Sequence, residues 1–244
     1  MSQNLNVIIM AGGLGKRMKS DLPKVLHCIK CKPMLVRVLE QALLLKPNKM
    51  LIVVGKYEEI IRKTLSNYMD ITNIKFVVQS EPLGTGHAIQ CCIEQLEENS
   101  TTLILSGDVP LLHHNILIDF LQGNYEAKIM TTLLDNPTGY GRIIEDHNVF
   151  TKIVEEKDCL SKEKQVKKIN CGIYAFNTNL LCKYIVKIDN NNSQKEYYLT
   201  DIIKLIKLYE KNRIVDTFDI ETEIQYQIMG VNTQEQLTEL ENYI

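Results

Sequence analysis

Leu5-Asn6-Val7-Ile8-Ile9-Met10-Ala11-Gly12-Gly13-Leu14-Gly15-Lys16-Arg17, followed by Ser20-Asp21-Leu22-Pro23-Lys24-Val25-Leu26-His27, is the stretch on which the fold turns. The run Leu5 to Met10 is short, apolar and β-branched, the signature of a strand buried on both faces in a parallel sheet. Gly12, Gly13 and Gly15 then allow a sharp turn and bring bare backbone N–H groups towards an anion with no Cβ in the way. Arg17 and Lys24 add two cations of different kinds, a planar fork and a mobile point charge. The turn fits neither the Gly-x-Gly-x-x-Gly dinucleotide pattern nor the Walker pattern. Taken alone it could simply join a strand to a helix.

Outward from this stretch, strand-like runs at 50–54, 74–78 and 102–105 alternate with helical stretches near 33–45, 57–67 and 85–98. In the first helix Met34, Leu35, Val38, Leu39, Ala42 and Leu43 make one apolar stripe. Strand and helix alternating in this way predict an α/β fold, a Rossmann-like, mainly parallel sheet with helices on both faces. Ligands of such sheets collect at the carboxyl ends of the strands, so the glycine turn, Gly84 to His87 and Asp108 should converge on one edge. Beyond residue 110, runs at 127–134, 142–144, 149–154 and 170–176 predict a mixed or antiparallel extension forming the opposite wall of a cleft. Asp146-His147-Asn148 reads as a turn. Polar stretches at 157–168 and 189–195 read as mobile loops, the second a candidate lid. A helix carrying Leu199, Ile202, Ile203, Ile206 and Tyr209, a strand near 213–218 and a helix near 233–243 follow.

The 244 residues, 45% of them hydrophobic, suffice for one domain, which the change of pattern divides into halves at 1–110 and 111–244. A net charge of −2 without a basic block argues against nucleic acid. No segment is long and apolar enough to span a membrane and Met1-Ser2-Gln3-Asn4 is not a secretory start, so a cytoplasmic protein is expected. The seven cysteines read as reduced and structural; Cys28 and Cys31 have a metal-pair spacing without a second pair, and Cys91 and Cys92 are adjacent. His113-His114 reads as an exposed helix start with the two rings directed apart.

The opening segment resembles the nucleotide-binding signature of sugar-1-phosphate nucleotidyltransferases. Ser20 to His27 narrows the resemblance to the uridyltransferase part of bacterial N-acetylglucosamine-1-phosphate uridyltransferases. Blocks that agree in order and spacing are Gln79-Ser-Glu-Pro-Leu-Gly84-Thr85-Gly86-His87-Ala88, Gly107-Asp108-Val109-Pro110-Leu111, Pro137-Thr-Gly-Tyr140-Gly141-Arg142-Ile143 and Val154-Glu155-Glu156-Lys157-Asp158. Ile169-Asn170-Cys171-Gly172-Ile173, Glu196-Tyr197-Tyr198-Leu199-Thr200-Asp201 and Gly230-Val231-Asn232 complete the series.

This resemblance implies a fold of the nucleotide-diphospho-sugar transferase type and the reaction of UTP with N-acetylglucosamine 1-phosphate to give UDP-N-acetylglucosamine and pyrophosphate. Mg²⁺ would be held by Asp108 and Asn232, although Asp108 could equally cap its turn and Asn232 the helix that follows. Lys24 would contact the α-phosphate and Arg17 the leaving phosphates, with backbone amides of Ala11, Gly12, Gly13 and Gly15 completing the cradle. Gln79, Gly84 and Thr85 would select the base: a glutamine amide offers a donor and an acceptor to uracil's mixed edge, and Gly84 lets the ring approach. Gly141, Glu155, Asn170, Tyr198 and Thr200 would receive the sugar.

Two positions depart from the usual pattern. Lys16 replaces a threonine and adds a cation beside the phosphates, while Gly12 replaces an alanine and also occurs in relatives that use glucose 1-phosphate with UTP or dTTP. Nucleotidyl transfer to another hexose 1-phosphate, or a silent homologue that binds UDP-sugar, are therefore the alternatives. No hexapeptide repeat of the β-helix kind is present, so acetyl transfer is not expected, and a monomer or homodimer is.

Overall fold

The computed structural model of the protein describes residues 4–147, 149–210 and 214–244, with the side chain of Lys16 outside the described set. In chain order the strands are β1 (Leu5–Met10), β2 (Cys28–Ile29), β3 (Lys32–Pro33), β4 (Lys49–Val54), β5 (Ile74–Val78), β6 (Thr101–Ser106), β7 (Ala127–Leu133), β8 (Arg142–Asp146), β9 (Val149–Val154), β10 (Lys168–Asn177) and β11 (Val215–Ile220). The helices are α1 (Met34–Leu43), α2 (Glu58–Ser66), α3 (Thr85–Gln90), α4 (His114–Phe120), α5 (Thr178–Ile185), α6 (Asp201–Tyr209) and α7 (Gln234–Leu240).

A nine-stranded sheet runs β11-β7-β10-β6-β1-β4-β5, with the β8–β9 hairpin attached to β10. β5, β4, β1 and β6 are mutually parallel, so their carboxyl ends share one edge. β10 runs antiparallel between β6 and β7, which brings its amino-terminal end, with Asn170, to that same edge. β1 is buried from Leu5 to Ile9, as a strand covered on both faces must be. Val7, Ile9 and Ala11 pack in one core with Leu35 and Leu39 of α1, Ile61 of α2 and Phe120 of α4. Ile8 packs in the other with Ile89 of α3, Leu181 of α5 and Ile203 of α6. A third, smaller core joins Met18 of the glycine-rich segment to Met34, Val231 and Leu237 of α7. This last cluster fixes the phosphate-loop region against the end of the chain.

The expected elements form, with differences at their margins. The helix expected over 85–98 leaves the α conformation after Gln90, where i→i+3 bonds such as Gln95 N to Cys92 O (2.9 Å) turn the chain back over the sheet. The strand expected near 213–218 is Val215–Ile220, its anticipated first residue lying outside the described residues, as does Asn148 of the anticipated turn. β10 is longer than expected and breaks register between Asn170 and Tyr174, where Gly172 takes φ +73°. Helix α5 was not anticipated, although Asn177 caps it by accepting from Asn179 N and Leu180 N at 3.0 and 3.3 Å. The 189–195 loop, read as a mobile lid, is fastened in this structure by Asp158, whose Oδ1 accepts from Ser193 N at 2.9 Å and Ser193 Oγ at 2.6 Å.

Candidate active site

Just past the carboxyl ends of β1, β5 and β6 the chain places Ala11 to Lys24, Gln79 and Asp108 around one cleft, as the parallel sheet requires. A cavity of about 270 Å³ is lined there by Gly12, Gly13, Lys24, Gln79, Gly84 and Thr85 among others. A second cavity of about 230 Å³ is lined by Gly141, Glu155, Asn170 and Asn232. Met10, Thr85, Ser106 and Asp108 border both, so the two open onto each other at the Asp108 carboxylate.

Charge concentrates at this junction. Lys24 Nζ forms an ion pair with Asp108 Oδ2 and donates to Asn232 Oδ1 at 3.1 Å, and Arg17 Nη2 donates to the same Asn232 oxygen at 2.9 Å. The other Asp108 oxygen accepts from Ser106 Oγ at 2.6 Å. The backbone locks this arrangement from both sides. Val231 N donates to Asp108 O at 2.9 Å, and Gly107 N to Met10 O at 2.9 Å. Asn232 is not the cap of α7, because Thr233 fills that position and accepts from Gln236 N at 3.3 Å. Gln236 Oε1 in turn accepts from Asn232 N at 2.7 Å, one residue before the position a capping box would use, which fastens the Asn232 backbone and leaves its side chain for the cleft.

The phosphate loop differs in detail from expectation. Ala11 N–H is spent on Val53 O at 2.8 Å, extending the β1–β4 ladder, so Ala11 lines the cleft but offers no amide to an anion. Gly13 faces open space, and Gly15, at φ +59°, lies so close to Lys24 that an added Cβ would sit 2.6 Å from Lys24 Cβ. That glycine wraps the loop around the lysine stem.

Among the residues expected to select a base, Gln79 is 9% exposed, and its Nε2 lies 3.0 Å from Gly84 O and 3.1 Å from His87 Nδ1. Both N–H groups are thus engaged within the protein, and the amide offers an approaching base its oxygen alone, where the sequence suggests donor and acceptor together. Gly84 adopts φ +113°, and the group it admits at close range is the Tyr197 backbone, 2.6 Å from an added Cβ. Tyr197 N donates to Leu83 O at 2.8 Å and Gly86 N to Tyr197 O at 2.7 Å, fastening the two walls together. Thr85 Oγ1 accepts from Leu199 N at 3.1 Å.

The expected sugar residues divide. Gly141, Glu155 and Asn170 come together, with Asn170 N donating to Gly141 O at 2.9 Å and Asn170 Nδ2 to Tyr174 OH at 2.6 Å. Tyr198 and Thr200 instead line a neighbouring cavity of about 360 Å³ beyond Glu155. The chain turns at 199–200, where Thr200 is helical (φ −61°, ψ −23°), and the side chains of the segment 196–200 part: Glu196 borders the cavity at Gly12 and Leu199 the one at Asn170. Tyr198 OH donates to Asp158 Oδ2 at 3.1 Å and Thr200 Oγ1 to Glu155 Oε1 at 2.9 Å. Thr200 therefore reaches the sugar side through Glu155.

Ser106 and Glu196 line this cleft and were not singled out from sequence, and His87, at the end of the 84–87 segment expected at this edge, touches Gln79 from outside the cavity lining; Arg142 behind it was also not singled out. Arg142, 1% exposed, pairs with Glu156 Oε2 at 2.7 Å and donates to Tyr140 O, while Gly139 N donates to the same Glu156 oxygen at 3.2 Å. This clamp holds the Gly139–Gly141 turn beside Glu155. Its one available signal was an arginine leading directly into the apolar pair Ile143-Ile144.

Burial pushes the Glu155 carboxyl above the usual range; the Thr200 hydroxyl opposes this and Asp201, Asp158 and Glu196 reinforce it. An acid whose native pKa is raised binds its proton more tightly when folded, so stability falls as pH rises from the unfolded towards the native value. Glu155→Gln should therefore melt higher than wild type at pH 7, and thermal melts across pH should show the gap opening as pH rises above the unfolded glutamate's 4.5. The same variant should raise the sugar-phosphate KM about tenfold or more, the loss of a charge-assisted hydrogen bond.

The seven cysteines are all free, with Cys28 and Cys31 exposed and Cys92 and Cys171 buried. Among the described residues no group of three His, Cys, Asp or Glu could hold a metal. The rings of His113 and His114 do not diverge: they lie 4.3 Å apart, His113 capping α4 and His114 Nδ1 lying 3.0 Å from Gln41 Oε1. Among the described residues no helix is long and apolar enough to cross a membrane.

A mainly parallel sheet with a glycine-rich cationic loop at its edge, facing a polar pocket on an antiparallel extension, defines a nucleotide-dependent transferase of phosphorylated substrates. Residues 6–220 match the family described as nucleotidyl transferase, and the chain belongs to that family. It is 43% identical, over 99% of its own length and 97% of the relative's, to a probable UDP-N-acetylglucosamine pyrophosphorylase of Acanthamoeba polyphaga mimivirus. It is 45% identical to the bifunctional protein GlmU of Alkaliphilus metalliredigens, matching 97% of this chain and 51% of that protein, so it spans about half of such relatives. Among solved structures, a Bacillus anthracis protein named as a candidate glucose-1-phosphate thymidylyltransferase superposes with a TM-score of 0.74 over 98% of this chain and 94% of that one; at 18% identity this concerns the fold.

Members of the family take a nucleoside triphosphate and a sugar 1-phosphate and generally use a divalent metal ion. The donors here fit such an ion. A carboxylate and a carboxamide oxygen, from Asp108 and Asn232, converge on one cationic group, the Lys24 ammonium. Hard oxygen donors of this kind suit Mg²⁺, which characteristically takes few protein ligands and completes its shell with phosphate and water.

Proposed function

We infer that this chain transfers the uridylyl group of UTP to N-acetylglucosamine 1-phosphate, releasing pyrophosphate and forming UDP-N-acetylglucosamine. The observation that carries this reading is the junction of two cavities at Asp108, Lys24 and Asn232, where a nucleotide's α-phosphate and a sugar phosphate would have to meet. The choice of base and sugar is supported by the mimiviral and bacterial relatives.

No covalent enzyme intermediate is needed. A sugar phosphate oxygen attacks the α-phosphorus, the bond to the bridging α–β oxygen breaks, and pyrophosphate leaves with that electron pair. Mg²⁺, when bound by Asp108 and Asn232, supplies charge neutralisation between the two anions. Lys24 stabilises charge on the α-phosphate as the phosphorus becomes five-coordinate, and Arg17, from the exposed side, grips the departing phosphates. Gly141, Glu155 and Asn170 orient the sugar: the Glu155 carboxylate accepts from hydroxyl groups and Asn170 both donates and accepts. The contribution of Lys16 rests on a side chain outside the described residues.

Pyrophosphate release with UTP and Mg²⁺ tests the reading against N-acetylglucosamine, glucosamine and glucose 1-phosphates. Turnover should favour the acetylated sugar at least tenfold in kcat/KM. A preference for glucose 1-phosphate, or for dTTP over UTP, would keep the chemistry and replace the substrates. Absence of turnover with every pair would replace it with UDP-sugar binding by a silent homologue.

A further inference from the structure

His87 has no part in the chemistry above, yet it touches the one side chain best placed to read the base. Gln79 presents its amide nitrogen to two atoms, Gly84 O at 3.0 Å and His87 Nδ1 at 3.1 Å. The first is a carbonyl oxygen and can only accept, which fixes the nitrogen end of the amide on that side. The second N–H then points at a ring nitrogen, and a ring nitrogen that receives an N–H must carry a lone pair. His87 is accordingly the neutral imidazole with its proton on Nε2, the atom 3.9 Å from Cys91 Sγ, a weak acceptor. With both N–H groups occupied, the free hydrogen-bonding atom of Gln79 is Oε1. It lies 3.5 Å from the place a Gly12 Cβ would take, on the wall of the nucleotide-side cavity.

An acceptor fixed at that wall complements a pyrimidine whose ring N3 bears hydrogen, as in uracil and thymine. Against cytosine, whose N3 carries a lone pair, it sets acceptor against acceptor. Were His87 a donor, or absent, the amide would have one fewer reason to keep its oxygen outward.

We propose that His87 is a positioning residue for base selection: its Nε2–H tautomer holds the Gln79 amide with the carbonyl facing the base, so that the cleft selects nucleotides with an N3–H. The proposal rests on the reading of Gln79 as the base contact. It concerns the choice against cytosine and leaves uracil and thymine equivalent at this atom.

The test compares kcat/KM for UTP and CTP in wild type, His87→Leu, His87→Asn and Gln79→Ala, together with the ring ¹⁵N shifts of His87 in ¹⁵N-histidine-labelled wild-type protein. His87→Leu should lower the UTP:CTP ratio about tenfold, the worth of one neutral hydrogen bond that orients the amide. His87→Asn, whose Oδ1 can stand where Nδ1 stood, should recover most of the ratio, which a loss of packing alone would not predict. The wild-type shifts should show a protonated Nε2 and a bare Nδ1. A wild-type ratio in His87→Leu while Gln79→Ala collapses it, or a protonated Nδ1, overturns the proposal and leaves the base reading intact. An unchanged ratio in Gln79→Ala overturns the base reading and the proposal with it. Should His87→Leu fail to fold, the ring shifts of the wild-type protein decide.

Discussion

Asp108→Ala should release pyrophosphate ~10³-fold more slowly than wild type at saturating substrates, while melting within a few degrees of it. The two halves of this expectation have separate causes. Catalytically, the substitution removes the carboxylate that borders both cavities, and with it the partner of Lys24 and the anionic ligand that the proposed mechanism gives the metal. Loss of one preorganised charge at a reacting centre costs about 10²–10³ in kcat, and loss of a metal-supported charge several kcal/mol. Structurally, what Asp108 gives to the fold is its backbone: the carbonyl that accepts from Val231 N at 2.9 Å survives truncation, so Asn232 and α7 stay in place. Asp108→Asn separates the charge from the shape. It keeps one oxygen for Lys24 and turns its NH2 to Ser106 Oγ, which can accept, but presents a weaker, neutral ligand, and should fall between the two, improving as Mg²⁺ is raised. Wild-type turnover in Asp108→Ala would remove Asp108 from the chemistry and reduce it to the cap of its turn.

How much of this was legible in the sequence depends on whether a residue's role is set by its own strand or by a neighbour far along the chain. The parallel half could be read because Leu5 to Met10, 50–54 and 102–105 are covered on both faces and therefore nearly uniform in polarity, while 74–78 at the sheet edge keeps a β-branched run but exposes Lys75 and Val78; the edge where ligands collect follows from topology alone. Asp108 and Lys24 are placed by those strands and by a Pro23-led turn. What sequence leaves open are groups whose partners lie far along the chain, 45 residues away for Thr200 and more than 100 for Thr85 and Gly84. Thr200 is redirected to Glu155, Thr85 to Leu199 N, and Gly84 is bare for the Tyr197 backbone, none of which leaves a periodic trace. Amide orientation is lost for another reason: its partners are only five and eight residues on, but Gln79 advertises donor and acceptor equally until the fold brings Gly84 O and His87 onto its nitrogen. Helix α5 is a different kind of omission. Asn177 followed by Leu180, Leu181, Tyr184 and Ile185 is a capped apolar stripe, but its first turn continues directly from β10, and a strand running into a helix without a loop offers no turn residue to mark the change.

Lys24→Met should reduce kcat by about 10²–10³ with a much smaller change in either KM, because charge on the α-phosphate builds chiefly in the transition state. The backbone around Lys24 is held independently of its charge. Val25 and Leu26 are buried, Leu26 N donates to Pro23 O at 2.9 Å, and Gly15 folds over the lysine stem. Methionine can follow that stem, so the variant tests the ammonium alone. Lys24→Arg should not rescue it, since a planar fork cannot occupy a point contacted by both Asp108 Oδ2 and Asn232 Oδ1. The sharper measurement is the double variant. If Lys24 and Asp108 act on the same phosphate through one charge cluster, Lys24→Met in the Asp108→Ala background should cost less than about tenfold further, far short of the product of the single effects. Multiplicative losses would instead mean that the two groups serve separate steps, with the ion pair of this structure a resting contact that the triphosphate replaces.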